Sequence, residues 1–190
     1  MQEEGKIIRL CKLNKREGYD ALYKKYENYI YTICFHYSNS KEDALDLMQE
    51  VFIKIYKAMD RFEEGRPVLP WIKKITVNTC LNHVRVARGN EISLNQEITE
   101  GDQPLENMIP DNTNIENEVI CTDTKAVLQN SINQLQPDMK MAMILRHVNG
   151  MSYEEIGEAM SAPIGTIKTY LHRGRGILKE KLKRYGVWEV

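Results

Sequence analysis

Cationic and polar side chains gather near the C-terminal end of the sequence, at spacings that suit one face of a helix. Lys168, Thr169, His172 and Arg173 lie within two helical turns, and Arg175 follows them. Lysine and arginine can bind phosphate oxygens, and these side chains also carry donors that could reach base edges in the DNA major groove. The chemistry they suit is recognition of duplex DNA.

Capping and turn residues indicate the helices that must position this group. Ser152 and Glu155 have the spacing of a capping box, which opens a short helix, and Pro163 begins the next helix after a tight turn. This order is that of a helix-turn-helix. A helical hairpin with a solvated basic face is the alternative, but the coincidence of features favours DNA binding. The residues expected to face inward are Ile156, Ala159, Met160, Ile167 and Leu171.

A second polar group belongs to an N-terminal helix. Asp46, Gln49, Glu50 and Lys57 fall at offsets of 0, 3, 4 and 11 residues, so they share one helix face. That face could dock a polar or basic partner, although such a charge set is more often a solvated surface. We reject catalysis by the paired carboxylates because nothing in the sequence indicates a cleft beside them. The opposite apolar stripe is Ala44, Leu45, Met48, Val51, Phe52, Ile55, Tyr56 and Met59.

A third group combines an irregular loop with the helix that follows it. Gly65 and Pro67 interrupt the helical pattern, and a helix is predicted over 71–88 with Pro70 in its first turn. Aromatic, amide and cationic groups on one face of that helix suit a platform for an unstacked nucleotide base, although Trp71 alone is more often a core residue. The face carries Trp71, Ile75, Asn78, Asn82 and Arg85, with Lys73 and Lys74 beside it.

Helical spacing recurs through the rest of the chain, and no strand pattern is present. We therefore predict an all-α fold of two small helical domains, 1–89 and 118–190, with helices over 119–135, 138–148, 152–160 and 163–185. Between them, 90–117 reads as a flexible linker because it holds two prolines and no sustained apolar period. The charge is segregated as well: 90–124 carries a net charge of -9, whereas 163–190 carries +5.

Composition narrows the class of protein. The chain has 190 residues, of which 42% are hydrophobic and 28% charged, values typical of globular proteins. No apolar stretch is long enough to span a membrane and no secretion signal is recognisable, so a cytoplasmic address is expected. The four cysteines form no CxxC pair and the four histidines no paired motif, so no metal or other cofactor is expected.

Several segments together are similar to one protein family. DLMQEVF at 46–52, PWI at 70–72 with Asn78, and SYEEI at 152–156 followed by GTIK at 165–168 resemble the bacterial sigma-70 family, in its small extracytoplasmic-function (ECF) group. The resemblance covers residues 19–88 and 118–182, matching the second and fourth regions of the family. It implies a dissociable subunit of RNA polymerase that directs initiation at promoters, and it implies that the protein is not an enzyme.

The resemblance also implies a role for each group of residues. Asp46, Gln49, Glu50 and Lys57 would bind the largest core polymerase subunit, and Leu145 with its neighbours would meet the flap of the other large subunit. The melted -10 promoter element would be bound by Phe62, Arg66, Leu69, Trp71, Lys74, Asn78, Asn82 and Arg85. The duplex -35 element would be bound by Ser152, Thr166, Lys168, Thr169, His172, Arg173 and Arg175. An anti-sigma factor, which could hold the protein at the membrane, is a further expected partner.

Three departures from the family pattern and two main rivals accompany this interpretation. Asn82 stands where the family commonly has aspartate. Glu63 and Glu64 place acids in a loop expected near DNA, and Gly174 and Gly176 are expected to interrupt the second helix of the helix-turn-helix, at a cost of about 1 kcal/mol each relative to alanine. The main rival is a freestanding helix-turn-helix transcription regulator, which predicts tight duplex binding without polymerase. The other is a helical adaptor with no DNA role, for which the cations would be dispensable.

Overall fold

The computed structural model describes residues 2–92 and 123–186, and in these residues the fold is all-α, as predicted. A 3-10 turn, Met59–Arg61, follows the third helix. The helices are α1 Gln2–Lys12, α2 Arg16–Ser38, α3 Lys41–Ala58, α4 Val68–Ile92, α5 Asp123–Asn133, α6 Pro137–His147, α7 Tyr153–Met160 and α8 Ile164–Arg184. None of the described helices is long and apolar enough to cross a membrane.

The N-terminal helices pack α1 and α3 against α2, and α4 closes the group. Ser40 caps α3 by accepting a hydrogen bond from the Asp43 N–H at 3.3 Å. The predicted apolar stripe of α3 was partly wrong, because Leu47 is buried whereas Leu45 and Tyr56 are 43% and 55% exposed. Leu47 continues the run of three- and four-residue steps through Ala44 and Val51, and that run sets the buried face.

Helix α1 was not predicted from the sequence. Its polar residues outnumber its apolar ones, and only one narrow side of it meets the core, through Ile8 and Cys11. Helix α4 is longer than predicted, since it begins at Val68, which is buried, and continues to Ile92. Helix α5 was predicted over 119–135; it is described from Asp123, and 119–122 lie outside the described residues.

The C-terminal helices follow the predicted order closely. Helix α8 runs without a break through Gly174 and Gly176, so the expected interruption was wrong. A Cβ atom on Gly174 would lie only 3.1 Å from Met143 Cγ and 3.3 Å from Met139 Cγ. Glycine at this position therefore lets α8 approach α6 closely, and this contact offsets the low helix propensity of glycine.

Helices from the two halves of the sequence also pack on each other. Helix α7 lies against α4, and α6 lies against both α2 and α4. The Tyr29 hydroxyl is 3.8 Å from Met151 Sδ, and the Lys140 ammonium is 5.4 Å from the centre of the Tyr37 ring. The described helices therefore form one body, and we call 2–92 and 123–186 its N-terminal and C-terminal modules.

Candidate nucleic-acid interface

The helix-turn-helix is built from local hydrogen bonds around α7. The Ser152 hydroxyl accepts from the Glu155 N–H at 3.1 Å, and the Glu155 carboxylate accepts from the Ser152 N–H at 2.9 Å, which completes the predicted capping box. Helix α7 is capped at its C-terminus by Ser161, whose φ of 53° reverses the chain. The Ala162 N–H donates to the Gly157 carbonyl at 2.9 Å. These bonds fix the angle at which α8 leaves the turn.

Helix α8 presents most of the predicted -35 residues to solvent. Ile167 and Leu171 are buried, as predicted, so the face that carries Lys168, Thr169, His172 and Arg173 points outward. The Thr169 hydroxyl donates to the Gly165 carbonyl at 2.9 Å. The other three side chains have no hydrogen-bond or ion-pair partner among the described residues. We call these four residues the reader face.

Three of the predicted -35 residues are held differently. Ser152 is half-buried and its hydroxyl caps α7, while Thr166 is half-buried at the start of α8. Arg175 is exposed, and its Nε donates to the Leu171 carbonyl at 3.1 Å.

A cationic hollow beside the reader face was missed by sequence reasoning. A cavity of about 380 Å³ is lined by Arg146, His147, Tyr153 and Arg175, among others. Arg146 donates from Nη1 to the Met151 carbonyl at 2.8 Å, and its guanidinium lies 5.2 Å from the Tyr153 ring centre. Burial, together with the neighbouring Arg175 and Arg146, lowers the pKa of His147. Arg146 and His147 stand at the end of α6, so only the folding of α6 onto α8 brings them beside Arg175.

The loop before α4 forms one wall of a second cavity, of about 650 Å³. Phe62 is only 6% exposed and packs on Trp71 with ring centres 4.7 Å apart. Arg66 is exposed and its Nη2 lies 2.7 Å from Glu63 Oε2. Glu158 of α7 and Ser161, the residue that follows α7, complete the wall. The lining is Arg61, Phe62, Glu63, Arg66, Pro67, Pro70, Trp71, Lys74, Glu158 and Ser161.

The acidic pair in this loop is partly neutralised. Glu64 lies 3.5 Å from Arg9 Nε and 3.9 Å from Lys12 Nζ, both on α1. Glu63 is the carboxylate that pairs with Arg66. Both acids therefore have cationic partners within the N-terminal module, which reduces their repulsion of a nucleic-acid strand.

The outer face of α4 divides into exposed and half-buried residues. Lys74, Asn78 and Asn82 are exposed, so their side chains can reach a ligand. Leu69, Trp71 and Ile75 are half-buried and pack against the core. Arg85 lies on α4, and its side chain is outside the described part of the structure.

Lys73, next to this face, is almost fully buried. Its Nζ lies 2.9 Å from Glu155 Oε1 of α7, and its side chain is 11% exposed. Because Glu155 bonds to Lys73 and also to the Ser152 N–H, the pKa of its carboxyl is lowered. One carboxylate thus caps the helix-turn-helix and joins the two modules.

The polar face of α3 is exposed, as predicted, but it is not free of partners. Asp46, Gln49, Glu50 and Lys57 all lie in solvent. Glu50 Oε1 is 2.7 Å from Lys54 Nζ, which also donates to the Thr79 hydroxyl of α4 at 3.2 Å. Lys54 therefore links Glu50 to α4 and orients its carboxylate towards a docking partner.

An aromatic groove beside Gln49 was also missed by sequence reasoning. Tyr19 packs on Tyr56 with ring centres 5.0 Å apart, and Tyr23 packs on Phe52 at 4.7 Å. These rings and Gln49 line a cavity of about 460 Å³ between α2 and α3. Sequence analysis placed Phe52 and Tyr56 in the apolar stripe of α3, so both were expected to be buried. The apolar pattern did not show that they remain partly exposed and line a groove.

A further apolar cavity, of about 470 Å³, lies between α5, α6 and α8. Leu145 is fully buried, so the surface contact expected of it was wrong for this residue. Its neighbours Ile144 and Val148 line the cavity, and Val148 is 43% exposed. Within the described residues no cluster of histidine, cysteine, aspartate or glutamate could hold a metal ion.

Comparison with known proteins agrees with this geometry. Residues 22–89 match the family model described as Sigma-70 region 2, and residues 125–178 match Sigma-70, region 4. The RNA polymerase sigma-H factor of Pseudomonas aeruginosa is 28% identical over 96% of this chain and 95% of its own. The ECF RNA polymerase sigma factor SigW of Bacillus subtilis is 27% identical over 94% and 96%.

Two solved structures share the fold. CnrH in complex with the cytosolic domain of CnrY has a TM-score of 0.65 and 15% identity, covering 95% of this chain and 97% of that one. The sigma factor RpoE in complex with the anti-sigma factor NepR, from Bartonella quintana, has a TM-score of 0.61 and 23% identity, covering 86% and 96%.

Proposed function

The chain belongs to the sigma-70 family of RNA polymerase initiation factors, in its ECF group. We propose that three of its surfaces bind the -35 element, the melted -10 element and the core polymerase. The protein is an RNA polymerase sigma factor, which binds the core enzyme, directs it to promoters and initiates transcription. The family match and its span do not favour a freestanding helix-turn-helix regulator. The assignment of individual residues is our proposal.

The reader face of α8 would bind the duplex -35 element. The observation that carries this assignment is that Lys168, His172 and Arg173 project from a capped helix-turn-helix with no hydrogen-bond or ion-pair partner among the described residues. Lys168 and Arg173 can therefore bind phosphate oxygens and base edges at little cost, because no internal ion pair must first be broken. Arg175, Thr166 and Ser152 would contact the backbone at the edges of this face.

The loop at 62–69 and the outer face of α4 would bind the melted -10 element. Trp71 supplies a ring at the cavity wall, and Asn78 and Asn82 supply amides that both donate and accept hydrogen bonds. An amide can pair with the Watson–Crick edge of a base only after that edge has left its complement. Phe62 would shape the cavity wall and Leu69 would support it from the core, while Arg66, Lys74 and Arg85 would meet the strand backbone.

The polar face of α3 would dock on the largest core subunit. Asp46, Gln49, Glu50 and Lys57 supply the charged part of this surface, and the aromatic groove between α2 and α3 supplies an apolar part beside it. A charged rim beside an aromatic centre is a common arrangement of protein interfaces. Core polymerase subunits and promoter DNA are thus the principal partners.

The remaining expectations extend this proposal. The domains predicted at 1–89 and 118–190, joined by 90–117, would act at the two promoter elements. An anti-sigma factor is a proposed partner, because the RpoE structure described above is a complex with the anti-sigma factor NepR. We propose a cytoplasmic location, no catalysis and no cofactor.

Transcription in vitro tests the proposal directly. Purified core polymerase should initiate at selected promoters only when the chain is added, and a promoter library should yield one shared pair of -10 and -35 sequences. Tight and specific binding to duplex DNA by the chain alone, with no effect on polymerase, would support the regulator instead.

A further inference from the structure

We propose that the C-terminal module binds a free anionic amphiphile of the long-chain carboxylic acid class. Its apolar chain would lie in the cavity between α5, α6 and α8, and its carboxylate would lie in the cationic hollow beside the reader face. His147 and Arg175 line both cavities, so the two cavities adjoin. This inference goes beyond the proposed function, because it assigns a small-molecule ligand to the chain itself.

The first argument is the lining of the apolar cavity. Its volume of about 470 Å³ is within the usual range of small-molecule sites, and aliphatic side chains from three helices form most of its walls. Leu178 and Leu182 are 7% and 8% exposed, whereas Leu128 is 38% exposed. The cavity therefore reaches the core and also opens to solvent. Its aliphatic walls are Leu128, Ile132, Ile144, Val148, Leu178 and Leu182.

The second argument is the charge of the adjoining hollow. Its volume is about 380 Å³, and Arg146, His147 and Arg175 are among its lining residues. Among the described residues, no aspartate or glutamate lines either cavity. Burial, followed by the charges of Arg175 and Arg146, lowers the pKa of His147, so the positive potential reaches the boundary between the cavities. An anion at this boundary would be attracted by both guanidinium groups.

The third argument is the availability of Arg175. Its side chain is exposed, and its Nε donates to the Leu171 carbonyl at 3.1 Å. Its terminal N–H groups have no partner within the described part of the chain, so they can donate to both oxygens of a carboxylate. Arg146 is more constrained, because it donates to the Met151 carbonyl. We therefore expect Arg175 to hold the carboxylate and Arg146 to add charge.

The order of residues along α8 sets the orientation of the ligand. Arg175, Leu178 and Leu182 fall at offsets of 0, 3 and 7 residues, so they follow one another along one side of the helix over about 10 Å. A carboxylate bound at Arg175 would place its chain beside the two leucines. The cavity runs between helices, so it suits one free chain rather than the surface of a bilayer.

A bound chain would also affect the association with polymerase. Ile144 and Val148 line the cavity and are neighbours of Leu145 in sequence, where the family resemblance places the contact with the flap. The ligand would cover apolar surface that the flap needs, so the two would compete. This consequence rests on the proposed function, whereas binding of the ligand by the chain does not.

Isothermal titration calorimetry of the full-length chain without polymerase tests the carboxylate position. The probes are dodecanoate and dodecanol, each kept at concentrations where it is monomeric. We expect saturable binding of both probes, with dodecanoate bound more tightly. Arg175→Ala should weaken binding of dodecanoate about two- to fivefold, the range for one exposed ion pair, and leave binding of dodecanol unchanged. Arg184→Ala is the matched control, because Arg184 is exposed on α8 and lines neither cavity.

A substitution in α5 tests the position of the apolar chain. Leu128→Trp should remove binding of both probes, because the larger side chain occupies the cavity. Ala126→Trp is the control, since Ala126 is exposed on the same helix and does not line the cavity. Circular dichroism reports whether each variant folds. If Leu128→Trp did not fold, the comparison of the two probes with Arg175→Ala would decide alone.

Three results would overturn the proposal. Equal affinity of wild type for the acid and the alcohol would mean that the cavity accepts any apolar surface, such as a helix of a partner protein. Equal loss of binding in Leu128→Trp and Ala126→Trp would place the chain elsewhere. Binding to phosphatidylglycerol vesicles without binding of free dodecanoate would assign the surface to a membrane. The transcription assay contains no amphiphile, so failure of the proposed function would be seen separately.

Discussion

Arg173 and Lys168 lie on the same face of α8, but they have different neighbours. Arg173 is exposed, whereas Lys168 lies near Glu154, whose pKa is lowered by hydrogen bonds from its own backbone N–H and the Ser152 side chain and, to a smaller extent, by the charge of Lys168. A guanidinium can bind a guanine edge with two hydrogen bonds, and an ammonium acts mainly as a point charge. We therefore expect Arg173 to read a base and Lys168 to bind a phosphate.

Arg173→Ala should cost about 1–3 kcal/mol of binding to the cognate -35 sequence and should relax the preference at one base pair. Lys168→Ala should weaken binding to all sequences alike and reduce the slope of log affinity against log salt concentration by about one. Competition binding of the holoenzyme to promoters with single -35 substitutions, repeated at several salt concentrations, measures both quantities. Unchanged -35 dependence in Arg173→Ala would remove this residue from the reader face.

Residues close in sequence could be predicted, and residues brought together by tertiary packing could not. Ser152 and Glu155 are three positions apart, so the capping box was visible as a pattern and is present in the structure. Lys73 and Glu155 are separated by 82 positions, and no local pattern connects them. The same limit hid the cationic hollow, because Arg146 and Arg175 come from different helices.

At the scale of the element, α3 carries two different surfaces on one helix. The buried side holds Ala44, Leu47, Val51 and Ile55, and the exposed side carries the charged docking residues. Sequence periodicity predicted the helix and its polar side, but it placed the boundary of the apolar side wrongly at Leu45 and Tyr56. A helix that is partly covered by α2 on one flank buries some residues of its stripe and leaves others open to a partner.

Reversing the charge of Asp46 and Glu50 to lysine should abolish association with core polymerase and leave the helical content unchanged. Glu50→Lys also places a cation beside Lys54, so the variant loses an oriented carboxylate and gains repulsion. Pull-down of purified core, with circular dichroism of the free variant, gives the result. Glu17→Lys with Glu180→Lys, at exposed positions on α2 and α8, is the control of equal charge. Normal association of the Asp46 and Glu50 variant would remove α3 from the core interface.

Helix α4 and its preceding loop should act on opened DNA. Asn78→Ala should be defective on a closed promoter and partly rescued on one with a pre-melted -10 bubble, because pre-melting removes the few kcal/mol that unpairing costs. Permanganate footprinting of the two templates compares the extent of opening. If wild type and variant opened both templates equally, the outer face of α4 would be an ordinary solvated surface.

At the scale of the whole molecule, Lys140 links the stability of the fold to pH. It is 9% exposed, its Nζ donates to Asn133 Oδ1 at 2.7 Å, and it faces the Tyr37 ring of the other module. Burial lowers its pKa from 10.5 to about 8. Between those values the unfolded chain binds more protons than the folded one, so the stability contributed by this residue rises as pH increases.

Wild type should therefore gain about 1–3 kcal/mol of unfolding free energy relative to Lys140→Met between pH 7 and pH 10. Urea unfolding followed by circular dichroism at several pH values gives this difference. Cysteines and tyrosines that titrate in the same range are common to both proteins, and their effects cancel in the comparison. Parallel pH profiles for the two proteins would show that Lys140 keeps an ordinary pKa.

The association of the modules is the part of the architecture that the sequence did not predict. Each module has its own apolar stripes, and these predicted most helices and the helix-turn-helix. The surfaces that join the modules combine single residues from α2, α4, α6 and the turn before α7, among them Tyr29, Lys73, Lys140 and Met151. Isolated residues of this kind leave no periodic signal, so two separate domains were the natural prediction.

The unbroken course of α8 couples two places that are otherwise far apart. Arg173 stands on the reader face, and Leu182 lines the apolar cavity between α5, α6 and α8. Nine residues of one helix separate them, a rod of about 13 Å. Because α8 is continuous, a molecule that bound in the cavity and pushed α8 away from α5 and α6 would also reorient the reader face. The helix would pivot at Gly174, where α8 approaches Met143 of α6 most closely. We expect a molecule that fills the cavity to change which bases Arg173 can reach.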